Sequence, residues 1–100
     1  LYCPDWPSGA APASFNTPVR SDLPTLVLAG EFDYQTPLDW SRQVAETLPR
    51  SRFVAFGTRG HALTATACGQ SVIASYLTSP DAEPQTRCVP ALRSTRFDTK

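Results

Sequence analysis

Apolar positions concentrate in a few short stretches separated by proline, glycine and charge. The run Thr25-Leu26-Val27-Leu28-Ala29-Gly30 has no polar alternation and is stopped by glycine. Such a run predicts a strand buried on both faces of a parallel sheet. Thr36-Pro37 then reads as a helix start, with Thr36 as N-cap, Pro37 at the first helical position and Asp39 three residues after the cap. The helix is predicted from Pro37 to Leu48. Trp40, Val44 and Leu48 form its apolar stripe, expected to pack on the sheet, while Arg42, Gln43 and Glu46 face elsewhere. Arg52-Phe53-Val54-Ala55-Phe56 is rich in aromatic and β-branched residues and predicts a second strand. Gly57 and Gly60 bracket a loop that delivers His61. From about Ala62 to Thr78 a second helical pattern gathers Cys68, Val72, Ile73, Tyr76 and Leu77 on one side.

The flanks differ in kind. Residues 1–22 carry Pro, Gly, Ser and Asn at intervals that break every helical or strand period, so they read as an irregular connecting segment anchored by Trp6 and Phe15. The ordered pattern occupies 23–89, and residues 90–100 form a tail. The stretch after Ser79 is proline-broken, with Cys88, Val89 and Leu92 as its anchors. No internal repeat is present. Strand, helix, strand, helix is an α/β order, and a strand-helix-strand unit of this length implies parallel strands joined by a right-handed crossover. Two parallel strands alone leave an apolar face and an unpaired edge in water. The elements are therefore expected to be the end of a larger parallel sheet, not a complete domain; a free-standing small α/β module is the alternative.

Composition sharpens this picture. At 100 residues the chain has the length of one domain, and 41% hydrophobic with 18% charged residues suits a folded interior. Nine basic residues balance nine acidic ones, so no global field favours nucleic acid or an anionic membrane surface. The longest apolar run, Leu26 to Ala29, is far short of the roughly 20 residues that span a bilayer. The chain has no methionine and opens on Leu1-Tyr2-Cys3, as expected of a piece of something longer. Cys3, Cys68 and Cys88 lack the paired spacings of zinc or redox motifs, so no metal and no cofactor is expected. A Cys68–Cys88 disulfide in an oxidising compartment fits the spacing, with buried free thiols as the alternative. Cys3 would then need a partner outside the chain.

Candidate chemistry sits at the strand ends. In open α/β sheets reactive groups lie in loops beyond the carboxyl ends of strands. Asp33 lies three residues after Gly30, and His61, the only histidine, lies five after Phe56. A carboxylate can hold an imidazole at Nδ1 and leave Nε2 free to take a proton. A serine hydrolase of the α/β type runs in the order Ser, Asp, His, and the chain contains no G-x-S-x-G elbow; Gly69-Gln70-Ser71 sits in a helical stretch and lacks the second glycine. The nucleophile is expected upstream. Turn-making Asp and a satisfied polar His are the structural alternatives for this pair, and Trp40, Tyr34 and Arg59 read as helix-sheet interface, loop anchor and solvated charge.

The run Leu23 to Pro37 with Asp33, followed by Phe53-Val54-Ala55-Phe56 and Gly60-His61, resembles the last catalytic segment of α/β hydrolases. Cys3 to Trp6, the Asp33 to Pro37 stretch, Gly60-His61, and Cys68 through Tyr76-Leu77 to Pro84 and Cys88 resemble the C-terminal domain of the tripeptidyl aminopeptidase-like, or TAP-like, family over residues 3–89. The resemblance implies that Asp33 is the triad acid, His61 the triad base, Cys68 and Cys88 a disulfide, and Cys3 a cysteine bonded to a missing N-terminal hydrolase portion. It further implies a secreted or cell-envelope serine peptidase that releases short peptides from free N-termini, or an esterase or amidase of the same fold. A non-catalytic interaction module is the competing reading. On either view the 100 residues alone lack the nucleophile and should be inactive.

Overall fold

The computed structural model describes residues 9–92. Its elements are β1 (Thr25–Gly30), α1 (Leu38–Glu46), β2 (Ser51–Phe56), a 3-10 turn (Leu63–Ala65) and α2 (Ala67–Thr78). The two strands pair in parallel, with Thr25 opposite Ser51 and Gly30 opposite Phe56. Residues 9–24 hold turns without helix or strand. The architecture is α/β: a parallel pair with two helices.

Side-chain alternation assigns the faces. Val54 and Phe56 of β2 form a buried cluster with Leu63 and Val72, and Leu26 and Leu28 of β1 pack against it. Cys88, Val89 and Leu92 join the same cluster. The stretch from Ser79 to Leu92 is thus anchored by the residues expected to do so. Phe53, on the opposite face, lies 5.9 Å beneath the Arg42 guanidinium of α1. Arg50 pairs with Asp81, and Arg52 Nε lies 2.9 Å from Glu83, so the segment after α2 is clipped along β2. Each of these exposed pairs contributes at most about 1 kcal/mol.

Three expectations need correcting. Helix α1 starts at Leu38, not Pro37, so the N-cap position falls on Pro37, whose ring has no acceptor to offer, while the Thr36 hydroxyl points to Asp33. The Trp40-Val44 stripe does not pack on the sheet: Trp40 is 61% and Val44 52% exposed, and only Leu48 is buried. Two strands about 4.8 Å apart cannot cover a helix about 10 Å across. The partly buried face of α1 is instead Leu38, Ser41 and Ala45, while Trp40, Val44 and Leu48 line a cavity of about 700 Å³ with Pro18 and Val19. Finally, α2 is preceded by a separate 3-10 turn, and Leu77 and Phe15, expected inside, are 70% and 75% exposed. Trp6 lies outside the described residues.

The break before α2 has a local cause. Thr66 adopts extended backbone, and its hydroxyl accepts from Gly69 N at 3.0 Å, capping the helix. The preceding turn folds back so closely that a Cβ on Gly69 would stand 2.0 Å from the Leu63 carbonyl oxygen. Only glycine fits there.

Candidate active site

The acid is built by a turn. β1 ends at Gly30, and Asp33 N donates to Gly30 O at 3.2 Å. Asp33 Oδ1 then accepts from the backbone N–H groups of Gln35 at 2.9 Å and Thr36 at 3.0 Å, closing an Asx-type turn. Oδ2 accepts from the Thr36 hydroxyl at 2.6 Å. The side chain is only 5% exposed. These donors hold the Asp33 carboxyl well below the usual carboxylate range, the Thr36 hydroxyl contributing most; partial burial opposes them, and the Thr36 N–H, His61 and Gln35 add to the lowering. Asp33 is therefore an acceptor-only anion.

The histidine loop is sewn onto the aspartate loop by backbone. Glu31 N donates to Phe56 O at 3.0 Å, and Phe32 N donates to Arg59 O at 2.9 Å. Thr58 N donates to Glu31 Oε2 at 3.1 Å, and Thr58 itself has φ of 57°, a left-handed conformation uncommon for a β-branched residue. Gly30 makes this contact possible, since a Cβ there would lie 2.4 Å from Gly60 O and 2.5 Å from Arg59 O. The loop places His61 Nδ1 2.9 Å from Asp33 Oδ2.

Because the carboxylate can only accept, the short contact requires the proton on His61 Nδ1, which leaves the lone pair on Nε2. Nε2 makes no hydrogen bond to any described residue, and the ring is 49% exposed. An oriented imidazole with an open Nε2 can accept a proton from a nucleophile and return it to a leaving group. Among the described residues no cluster of His, Cys, Asp or Glu could hold a metal ion.

A family model described as TAP-like protein matches residues 1–88. The chain belongs to the TAP-like family. It is a TAP-like C-terminal domain of the α/β-hydrolase class. No curated protein and no solved structure matches it.

Within this TAP-like domain the structure brings Asp33 and His61 together and joins Cys68 to Cys88, with Cα atoms 5.7 Å apart. Cys3 lies outside the described residues. Tyr34 is not a loop anchor: it is 85% exposed, because the Asx turn is closed by Asp33 and needs no side-chain anchor. Trp40 is likewise not at a helix-sheet interface, while Arg59 is exposed as expected. Gly69, Gln70 and Ser71 lie within α2. Gly30, Glu31 and the Thr36 hydroxyl, the last expected as a helix cap, build the site beside the two expected residues. The Asp-x-x-Thr spacing of an Asx turn is the signal that pointed to Thr36.

Proposed function

We propose that this TAP-like domain supplies the acid and base of a serine hydrolase, Asp33 and His61, to a serine carried on a hydrolase portion N-terminal to it. The observation that carries the reading is the Asp33 Oδ2 to His61 Nδ1 contact at 2.9 Å with Nε2 left open. In this reading residues 1–22 connect the two portions, 23–89 form the segment bearing the acid and base, and 90–100 are a tail. Family membership makes an aminopeptidase the leading activity, releasing short peptides from free N-termini outside the cytoplasm. The Cys68–Cys88 disulfide supports an oxidising compartment, as would Cys3 paired to the N-terminal portion.

His61 Nε2 takes the serine hydroxyl proton as the oxygen attacks the peptide carbonyl, and the imidazolium then gives that proton to the leaving amine. Asp33 stabilises the imidazolium and keeps its charge throughout. Water attacks the acyl-enzyme by the same proton route in reverse. In the full-length protein His61→Ala should lower kcat on tripeptide anilides by about 10⁴-fold or more and abolish fluorophosphonate labelling. Turnover near the parental rate in that variant contradicts the assignment, and turnover of esters alone moves the activity to the esterase class.

A further inference from the structure

Thr36 does more at this site than close a turn. Its Oγ1 stands 2.6 Å from Asp33 Oδ2 and 3.3 Å from His61 Nδ1. A hydroxyl has one proton and two lone pairs. The shorter contact, to an anion that can only accept, takes the proton. Toward His61 the same oxygen therefore offers only a lone pair, and a lone pair is compatible with a protonated Nδ1 and not with a bare one. We propose that Thr36 is a positioning residue of this site: its hydroxyl donates to Asp33 and accepts from His61 Nδ1, so that the imidazole is held with its proton on Nδ1 and its lone pair on Nε2. This inference rests on the hydrolase reading for its consequence in catalysis but not for the hydrogen-bond arrangement.

Two features separate the hydroxyl's role from that of the backbone. The turn is already closed by the N–H groups of Gln35 and Thr36 on Asp33 Oδ1, so removing the hydroxyl leaves the turn bonded. The other carboxylate oxygen, Oδ2, is the one shared by Thr36 and His61. Without the hydroxyl, Oδ2 loses the partner that fixes its direction, and Nδ1 loses its second acceptor. The ring can then turn away from Oδ2, and once that contact is broken the carboxylate no longer dictates the tautomer, so that the Nε2-protonated form, which cannot take a proton from a nucleophile, becomes accessible.

The test compares Thr36→Val, which keeps the shape and removes the hydroxyl, with Thr36→Ser, which keeps the hydroxyl, in the full-length protein. The readouts are the ring ¹⁵N chemical shifts of His61, which report the tautomer, and kcat and KM on a tripeptide anilide. Thr36→Val should move the ring shifts toward the Nε2-protonated form and lower kcat roughly 10- to 100-fold with KM unchanged, the rate equivalent of losing one hydrogen bond to a charged group. Thr36→Ser should match the parent in both. Ring shifts unchanged in Thr36→Val, a serine variant as impaired as the valine one, or a loss expressed in KM alone overturns the proposal. Should Thr36→Val not fold, Thr36→Ala replaces it with the same outcomes. A parent protein that turns over neither peptide nor ester defeats the hydrolase reading, and the ring shifts then judge the Thr36 contact by themselves.

Discussion

Asp33 shows how a folded turn prepares a single carboxylate. Four donors converge on its two oxygens, and the resulting preference for the ionised form is a statement about stability as well as chemistry. Its folded pKa lies below the ordinary 3.8, so the contribution is fully present above that value and is lost as the pH falls below it toward the depressed folded pKa. Denaturant titrations should show stability declining with acid below about pH 4, and Asp33→Asn should flatten that part of the profile; an unchanged acid slope in the variant would show that Asp33 is not the group responsible. The meeting of Asp33 and His61 was legible from sequence because loops after parallel strands converge at one edge of an α/β sheet, and each residue follows a strand whose apolar run is unambiguous. Thr36 was misread for a physical reason. A threonine before proline satisfies the pattern of an N-cap, whose hydroxyl accepts from a helix N–H, yet the buried Asp33 carboxylate takes the Thr36 hydroxyl proton and holds the side chain toward itself, and the helix starts one residue later.

At the scale of elements, the strands were read to within a residue, and the helices less well. A strand's identity is carried by its own apolar run, whereas the face a helix buries depends on how wide a sheet it meets. The α1 sequence holds a clear stripe in Trp40, Val44 and Leu48, but a two-stranded sheet reaches only part of it, and Trp40 and Val44 stay exposed. The contact between the two strand-end loops was hidden for a different reason: it is made largely of backbone, and its sequence marks are the single residues Gly30 and Glu31. Gly30→Ala should set a methyl group against the Gly60 and Arg59 carbonyls and push the His61 loop off β1. The expected cost is about 1–3 kcal/mol in stability, accompanied by a fall in kcat/KM larger than the loss of folded protein explains. Equilibrium denaturation alongside kinetics measures both, and an Ala variant with parental kcat/KM would show that the loop contact does not position the histidine.

The molecule as a whole is held by a small core and a covalent clip. Phe56 and Val72 are its largest fully buried side chains, while eight large apolar residues, from Phe15 to Leu77, stand exposed among the described residues. The Cys68–Cys88 bond matters in proportion: it joins the first turn of α2 to the segment that carries Val89 and Leu92 onto the core, across 20 residues of sequence. In the chain-entropy account, closing a loop of that size contributes about 3 kcal/mol by restricting the unfolded chain. Replacing both cysteines with serine should therefore lower stability by about 2–4 kcal/mol, a Tm reduction of roughly 10 °C or more for a domain of this size. The bond packs against the Val54-Phe56-Leu63-Val72 cluster, whereas Asp33 and His61 are held through Gly30, Glu31 and the turn at Thr36. Well below the lowered Tm, kcat/KM of the folded serine variant should stay at the parental value. A variant that remained folded by circular dichroism yet lost activity would show instead that the clip reaches through the 3-10 turn at Leu63 to the histidine loop.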